Sequence, residues 1–222
     1  MESVVHWADD VLCRGPRDVV LVEGADAERY LQSQLAQDIT AMIDGESRWS
    51  LLLEPDGKVV SLLRVSRSGD QYLLSADPMA GEPTARRLQR FLLRVDVSLA
   101  VIPADAEIGD DLEADRIAHG WPRHDREILP GATLPAELGL TASAVSFTKG
   151  CYPGQELVER MDSRGSSAPY RIVVIDEPLP VGSDVIVDGD TVGQVTSAGG
   201  GRSLARVKRG VDIGRPAPTI GP

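Results

Sequence analysis

Two cysteines, three histidines and an aromatic content of 4% are what this 222-residue chain has least of. Cys13 and Cys151 are too few for a disulfide framework. Neither belongs to a CxxC pair or a Cys/His cluster of metal-site spacing, which argues against a zinc or complete iron-sulfur centre made by this chain alone. With so few rings, the core has to come from Leu, Val, Ile and Ala. Basic charge is also scarce: 34 acids against 23 Lys and Arg leave a net charge of -11. Such a field repels phosphate backbones and anionic lipid, so direct nucleic-acid binding is not expected. No apolar run approaches the roughly 18 to 20 residues of a membrane span. Met1, Glu2 and Ser3 lack the basic-then-apolar opening of a signal peptide, so the expected address is the cytoplasm.

What remains, 42% hydrophobic and 26% charged residues, is the composition of a globular chain. The first half predicts an α+β arrangement. Val19 to Glu23 reads as a strand. Asp26 is placed to cap a helix carrying Ala27, Tyr30, Leu31 and Leu35 on one face. Leu51 to Leu53, the turn Pro55-Asp56-Gly57 and the alternating Val59 to Val65 predict a hairpin. A strand over Gln71 to Ser75, a helix opening at Pro83, a strand over Val95 to Val101 and a helix over Ile108 to Ala118 follow, the last stopped by Gly120 and Pro122. Trp121 to Ala144 reads as a long irregular connection. Beyond Tyr170 the pattern is all-β, with strands at 171–175, 184–187, 191–196 and 203–207, predicting a small barrel or sandwich. Gly199, Gly200 and Gly201 read as a hairpin rather than a phosphate cradle, since no Lys-Ser/Thr and no strand-to-helix context follows.

The chemistry concentrates in Phe147 to Arg160, FTKGCYPGQELVER. Gly150 and Gly154 bracket Cys151 with residues that tolerate positive φ, and a helix of about two turns is expected from Gln155. The thiol would then precede a helix N-terminus, whose free N–H groups favour negative charge. Lys149 adds a cation, and both effects favour thiolate. Read on its own, Cys151 is equally a small buried residue of a tight turn, and Gln155 and Glu156 equally ordinary first-turn residues.

Lys149 to Glu156, KGCYPGQE, closely resembles the K-G-C-[FY]-x-G-Q-E signature of the YgfZ family, which is related to the T-protein (aminomethyltransferase) of the glycine cleavage system. The resemblance extends to Val22–Thr40, with Ser33 and Ala36 in place of the usual Gly and Thr, and to Asp56–Arg67, Arg116–Pro122, Ile128–Leu140 and the tail from Gly193. It implies a T-protein-like fold: a shortened N-terminal α+β domain over residues 1–143, the signature loop and helix over 144–170, and a small C-terminal β-barrel over 171–222. It also implies a role in the assembly or repair of iron-sulfur proteins, with Cys151 as functional thiol and transient metal ligand, helped by Lys149. Tetrahydrofolate or a derivative is the associated ligand, with Tyr152, Gln155, Glu156, Arg160, Gln34, Asp38 and Arg116 as candidate contacts. Implied partners are iron-sulfur client or assembly proteins, without a permanent metal, direct nucleic-acid contact or a membrane.

Three departures from the family pattern stand out. Ser61 and Leu62 occupy the places of the acidic pair of true aminomethyltransferases. Neither can steer a proton or stabilise an iminium, which argues against methylene transfer. The region between Ser75 and Ile108 lacks a further α/β portion that relatives carry. Ala118 stands where relatives often have a glutamate. The competing readings are a tetrahydrofolate-dependent one-carbon transferase, a cysteine hydrolase pairing Cys151 with His119 or His124, and a non-catalytic scaffold with Trp49 and Trp121 in its core.

Overall fold

Near-continuous apolar runs in a strand mean burial on both faces, and the hairpin sequences LLL and VVSLL are of that kind. The computed structural model describes residues 7–163 and 168–218, and the reading of Met1 to Ser3 lies outside the described residues. Strands β1 (Asp18–Glu23), β2 (Ser47–Leu53), β3 (Val59–Ser68), β4 (Gln71–Ala76) and β5 (Ser98–Ile102) form one antiparallel sheet in the order β2-β3-β4-β1-β5. Helices α1 (Ala27–Gln34) and α2 (Gly81–Gln89) cover one face, where Leu31, Leu35 and Leu88 pack with Val20, Leu52, Leu63 and Leu74.

The other face of β2 and β3 presents Trp49, Leu51, Leu53, Val59 and Leu62 to a second core. That core is completed by Trp121, Ile128, Leu138, Leu140, Tyr152 and Val158. The stretch expected to be a loose connection is thus a packed layer, with a 3-10 turn at Pro135–Glu137 and a short helix α4 (Thr141–Ala144). Its apolar residues follow neither a 3.6 nor a 2 period, so they gave no periodic signal. Trp49 and Trp121 meet at 4.8 Å between ring centroids, which makes both core residues.

Helix α3 (Asp110–His119) ends at Gly120, whose φ of 70° closes it in the left-handed region. Asp26 makes no capping bond. Its carboxylate accepts instead from the Asp96 backbone N–H at 2.9 Å and from Arg29 at 2.8 Å, tying α1 to the approach of β5.

Helix α5 (Gln155–Ser163) follows the signature, and β6 (Tyr170–Ile175), β7 (Asp184–Val187), β8 (Asp190–Gly199), β9 (Arg202–Lys208) and β10 (Arg215–Pro216) build a second antiparallel sheet. Its order is β10-β6-β9-β8-β7. Among the described residues no pairing joins β7 to β10, so the expected barrel is an open sheet. One edge, β10, is two residues long and contains Pro216, which has no N–H to give a further ladder. Ile172, Val174 and Leu204 on one face pack with Ile117 of α3, and Val173, Val195, Ala205 and Val207 form the other face's core.

The two sheets are joined by buried charge. Glu127, 1% exposed, accepts from Thr196 Oγ1 at 2.6 Å, Ser197 Oγ at 2.7 Å and Arg116 at 3.1 Å. Glu137 accepts two bonds from Arg206, at 2.7 and 3.1 Å.

Candidate functional site

Burial around Cys151 alternates sharply. Lys149 is 8% exposed and Tyr152 6% exposed, whereas Cys151 between them is exposed and unpaired. The buried neighbours fix the loop. The Lys149 ammonium donates to the backbone carbonyls of Gln32 and Leu35, both at 2.6 Å, and of Gln37 at 3.2 Å. These lie at the C-terminal end of α1, where unpaired carbonyls favour a cation. The same ammonium stands 5.4 Å from the centroid of the Tyr152 ring. Tyr152 sits in the second core, and burial pushes its phenol up to about 12.

The two signature glycines differ. Gly154 has φ of 87°, and a Cβ there would lie 2.8 Å from the Glu54 carbonyl oxygen and 2.8 Å from the Gly57 Cα. Gly57, φ 85°, would in turn push a Cβ to 2.6 Å from Leu157 Cβ. The β2–β3 turn and the start of α5 therefore touch backbone to backbone through two glycines. Gly150 has no positive φ, and nothing lies within 4 Å of a Cβ built on it, so the expectation of a conformational need there does not hold. Gly154→Ala is expected to cost roughly 2–4 kcal/mol in chemical denaturation, and Gly150→Ala no more than about 0.5 kcal/mol. Equal costs would contradict this account of the turn.

Burial pushes the Lys149 ammonium down to about 8, with the Asp38 carboxylate acting the other way. The unfolded chain, with an ordinary lysine near 10.4, then binds more protons at this site between about pH 8 and pH 10. Stability gained from this one group rises with pH through that window and is lost again as pH falls through 8. Lys149→Met is expected to flatten the wild-type rise, read as unfolding free energy at intervals from pH 7.5 to 10; parallel curves would disprove it.

The remaining candidates are held by separate partners. Gln34 is buried and accepts from Arg87 at 3.3 Å. Asp38 accepts from the Thr40 hydroxyl at 2.8 Å and its N–H at 3.0 Å, and these bonds hold the carboxyl below its usual range. Arg116 is 1% exposed; burial opposes its charge, but Glu127 and Glu113 hold its pKa above the ordinary value. Its remaining donors reach the Trp121 carbonyl at 2.5 Å and Ser197 at 2.8 Å, so it is a structural cation between the sheets. On α5, Gln155 donates to Glu159 at 2.6 Å and Arg160 pairs with Glu156 along the exposed helix surface. Ser61 is buried and shares a hydrogen bond of 2.7 Å with Thr84, and Leu62 is a core residue.

Neither histidine is placed as a partner for Cys151. His119 stacks on Trp7 at 4.2 Å and its Nδ1 contacts the Asp115 carbonyl at 2.8 Å. Buried His124 donates its backbone N–H to Asp77 at 2.8 Å. Among the described residues no group of three or more His, Cys, Asp or Glu is gathered to hold a metal ion. No helix there is long and apolar enough to cross a membrane. Sequence reasoning missed Gly57 and Leu157 as the seat of the loop and the α1 carbonyls as the anchor of Lys149. Backbone carbonyls carry no residue-type signal, and Gly57 is masked by its role in the turn.

A five-stranded antiparallel sheet with helices on one face and a cysteine loop on the other defines an α+β protein of the aminomethyltransferase fold. The crystal structure of glycine cleavage system aminomethyltransferase T from Bartonella henselae superposes with a TM-score of 0.72 at 16% identity, covering 86% of this chain and 76% of that one. No family model matches the chain. Human mitochondrial iron-sulfur cluster assembly factor IBA57 is 32% identical over 198 residues, 83% of this chain and 53% of IBA57. The Escherichia coli tRNA-modifying protein YgfZ is 24% identical over 217 residues, 66% of this chain and 65% of YgfZ. An uncharacterized protein of Haemophilus influenzae is 26% identical over 189 residues, 67% of each chain. The chain belongs to the YgfZ/IBA57 family, and it spans between about half and two thirds of the length of these relatives.

Proposed function

We propose that this chain serves the assembly or repair of iron-sulfur proteins, with Cys151 as its working thiolate. The observation that carries the reading is the exposed thiol held between two buried anchors, Lys149 and Tyr152. An anchored loop presents sulfur to a partner at little further entropic cost. One thiolate cannot complete the four-thiolate ligation of a cluster, so a client or assembly protein supplies the other ligands. On ligation the thiol proton passes to solvent and sulfur forms the bond to iron. In this reading residues 1–143 are the scaffold, 144–170 present the thiol and 171–222 brace it from the second sheet. A reducing compartment such as the cytoplasm keeps both cysteines free. With a net charge of -11, an effect on tRNA like that in the printed name of YgfZ would run through a client protein rather than direct contact.

The residues present do not fit tetrahydrofolate as a set. Gln34, Asp38 and Arg116 are committed to separate protein partners, and Gln155, Glu156 and Arg160 pair along α5. The proposal is tested by expressing the chain in cells that lack their own family member and assaying iron-sulfur enzymes in extracts. Restored activity is expected, and no restoration at matched protein level would refute the reading.

A further inference from the structure

Arginines gather where α2 ends. Arg86, Arg87 and Arg90 line a cavity of about 280 Å3 together with Glu54 and Val60. Three guanidiniums face one carboxylate there, which leaves two positive charges uncompensated in a chain whose overall charge is -11. The negative end of the α2 dipole accounts for Arg86 and Arg90, which are exposed. It does not account for Arg87, whose side chain is 1% exposed.

The contacts of Arg87 are incomplete. One NH1 bond of 3.3 Å reaches Gln34, the Glu54 carboxylate stands 3.4 Å from Nε, and the Phe91 ring centroid lies 4.5 Å from Cζ. Nε and the other terminal nitrogen have no hydrogen-bond partner. Glu54 is meanwhile engaged with Arg90 at 2.9 and 3.2 Å. A buried guanidinium with unmet donors is costly, and carboxylates and phosphates match its fork.

We propose that this cavity binds a small dianion, a phosphate monoester or a dicarboxylate, through Arg87 with Arg86 and Arg90 at its rim. Two uncompensated charges favour a dianion over a monoanion, and the volume lies just under the about 300 Å3 at which whole-ligand pockets begin, so the cavity holds an anionic group rather than a large ligand. The Glu54 side of the cavity belongs to the turn on which Gly154 rests, so the site adjoins the seat of the thiol loop.

The test is calorimetric titration of the full chain with inorganic phosphate and, separately, with malonate, at constant ionic strength set by chloride. Saturable binding of at least one is expected. Phosphate alone would identify phosphate monoesters, and malonate alone dicarboxylates. Arg86→Ala, at an exposed position, is expected to weaken binding about tenfold, the loss of one charged hydrogen bond. Glu54→Gln is expected to tighten it, because a competing carboxylate is removed. Arg87→Met should abolish it in a chain whose circular dichroism is unchanged. No saturable heat with either anion, or affinities indifferent to Arg86→Ala and Glu54→Gln, would overturn the proposal.

Discussion

Cys151→Ala is expected to reduce iron-sulfur enzyme activity in the complemented cells to the level of an empty vector, while Cys13→Ala stays close to the wild type. The contrast follows from where the two thiols lie. Cys151 is exposed on an anchored loop, whereas Cys13 is half-buried beside the second core and burial pushes its thiol up, against the opposing pull of Arg17 and Arg64. A thiol kept protonated is neither a nucleophile nor a metal ligand. Cys151→Ser should behave like Cys151→Ala, since a hydroxyl in the same place does not ionise at neutral pH. The fold should be indifferent to both changes, because an exposed side chain away from caps and networks contributes within about 0.5 kcal/mol. Unfolding curves that superpose on wild type, together with lost complementation, would separate chemistry from stability. Full rescue by Cys151→Ala at equal protein level would remove the thiol from the mechanism.

Arg116→Ala is expected to be the most destabilising single change, about 3–5 kcal/mol, because it leaves the Glu127 carboxylate buried without its cation. Glu127 would retain bonds from Thr196, Ser197 and the Arg123 N–H, but a charge in that position also needs a counter-charge. The Trp121 carbonyl loses its partner at the same time, and Glu113 keeps only its 3.3 Å pair with Arg123. Chemical denaturation monitored by the buried Trp49 and Trp121 would read the loss as a lower midpoint. Arg116→Met combined with Glu127→Leu should recover much of it, since removing both charges is far cheaper than removing one. A midpoint for Arg116→Ala within experimental scatter of wild type would mean that the network does not brace the sheets.

Most of the element order is legible in the residues, because each signal is local. Alternation marks β5, and short apolar runs mark β1 and β6. A 3.6 period marks α1 and α2, and Gly120 with Pro122 marks the end of α3. The signature KGCYPGQE likewise located the candidate thiol and its family without a fold. What failed was non-local. The layer from Trp121 to Ala144 looked like a loop because its burial comes from the far face of β2 and β3, a surface no period in its own sequence reflects. Arg116, a candidate contact through the family resemblance, is a buried cation paired with Glu127, and the link of this pair to β8 through Ser197 exists in space alone.

The sequence by itself determined most of the secondary-structure order, the scarcity of cysteine and histidine, the acidic field and the single signature cysteine. These depend on residue type and short spacing. Tertiary structure alone decided that Lys149 serves the carbonyls of α1, that Gly154 and not Gly150 carries the conformational demand, and that the second sheet is open among the described residues. Each of these depends on which distant backbone atoms come within a few ångströms, and that is settled only when both faces of the first sheet are packed.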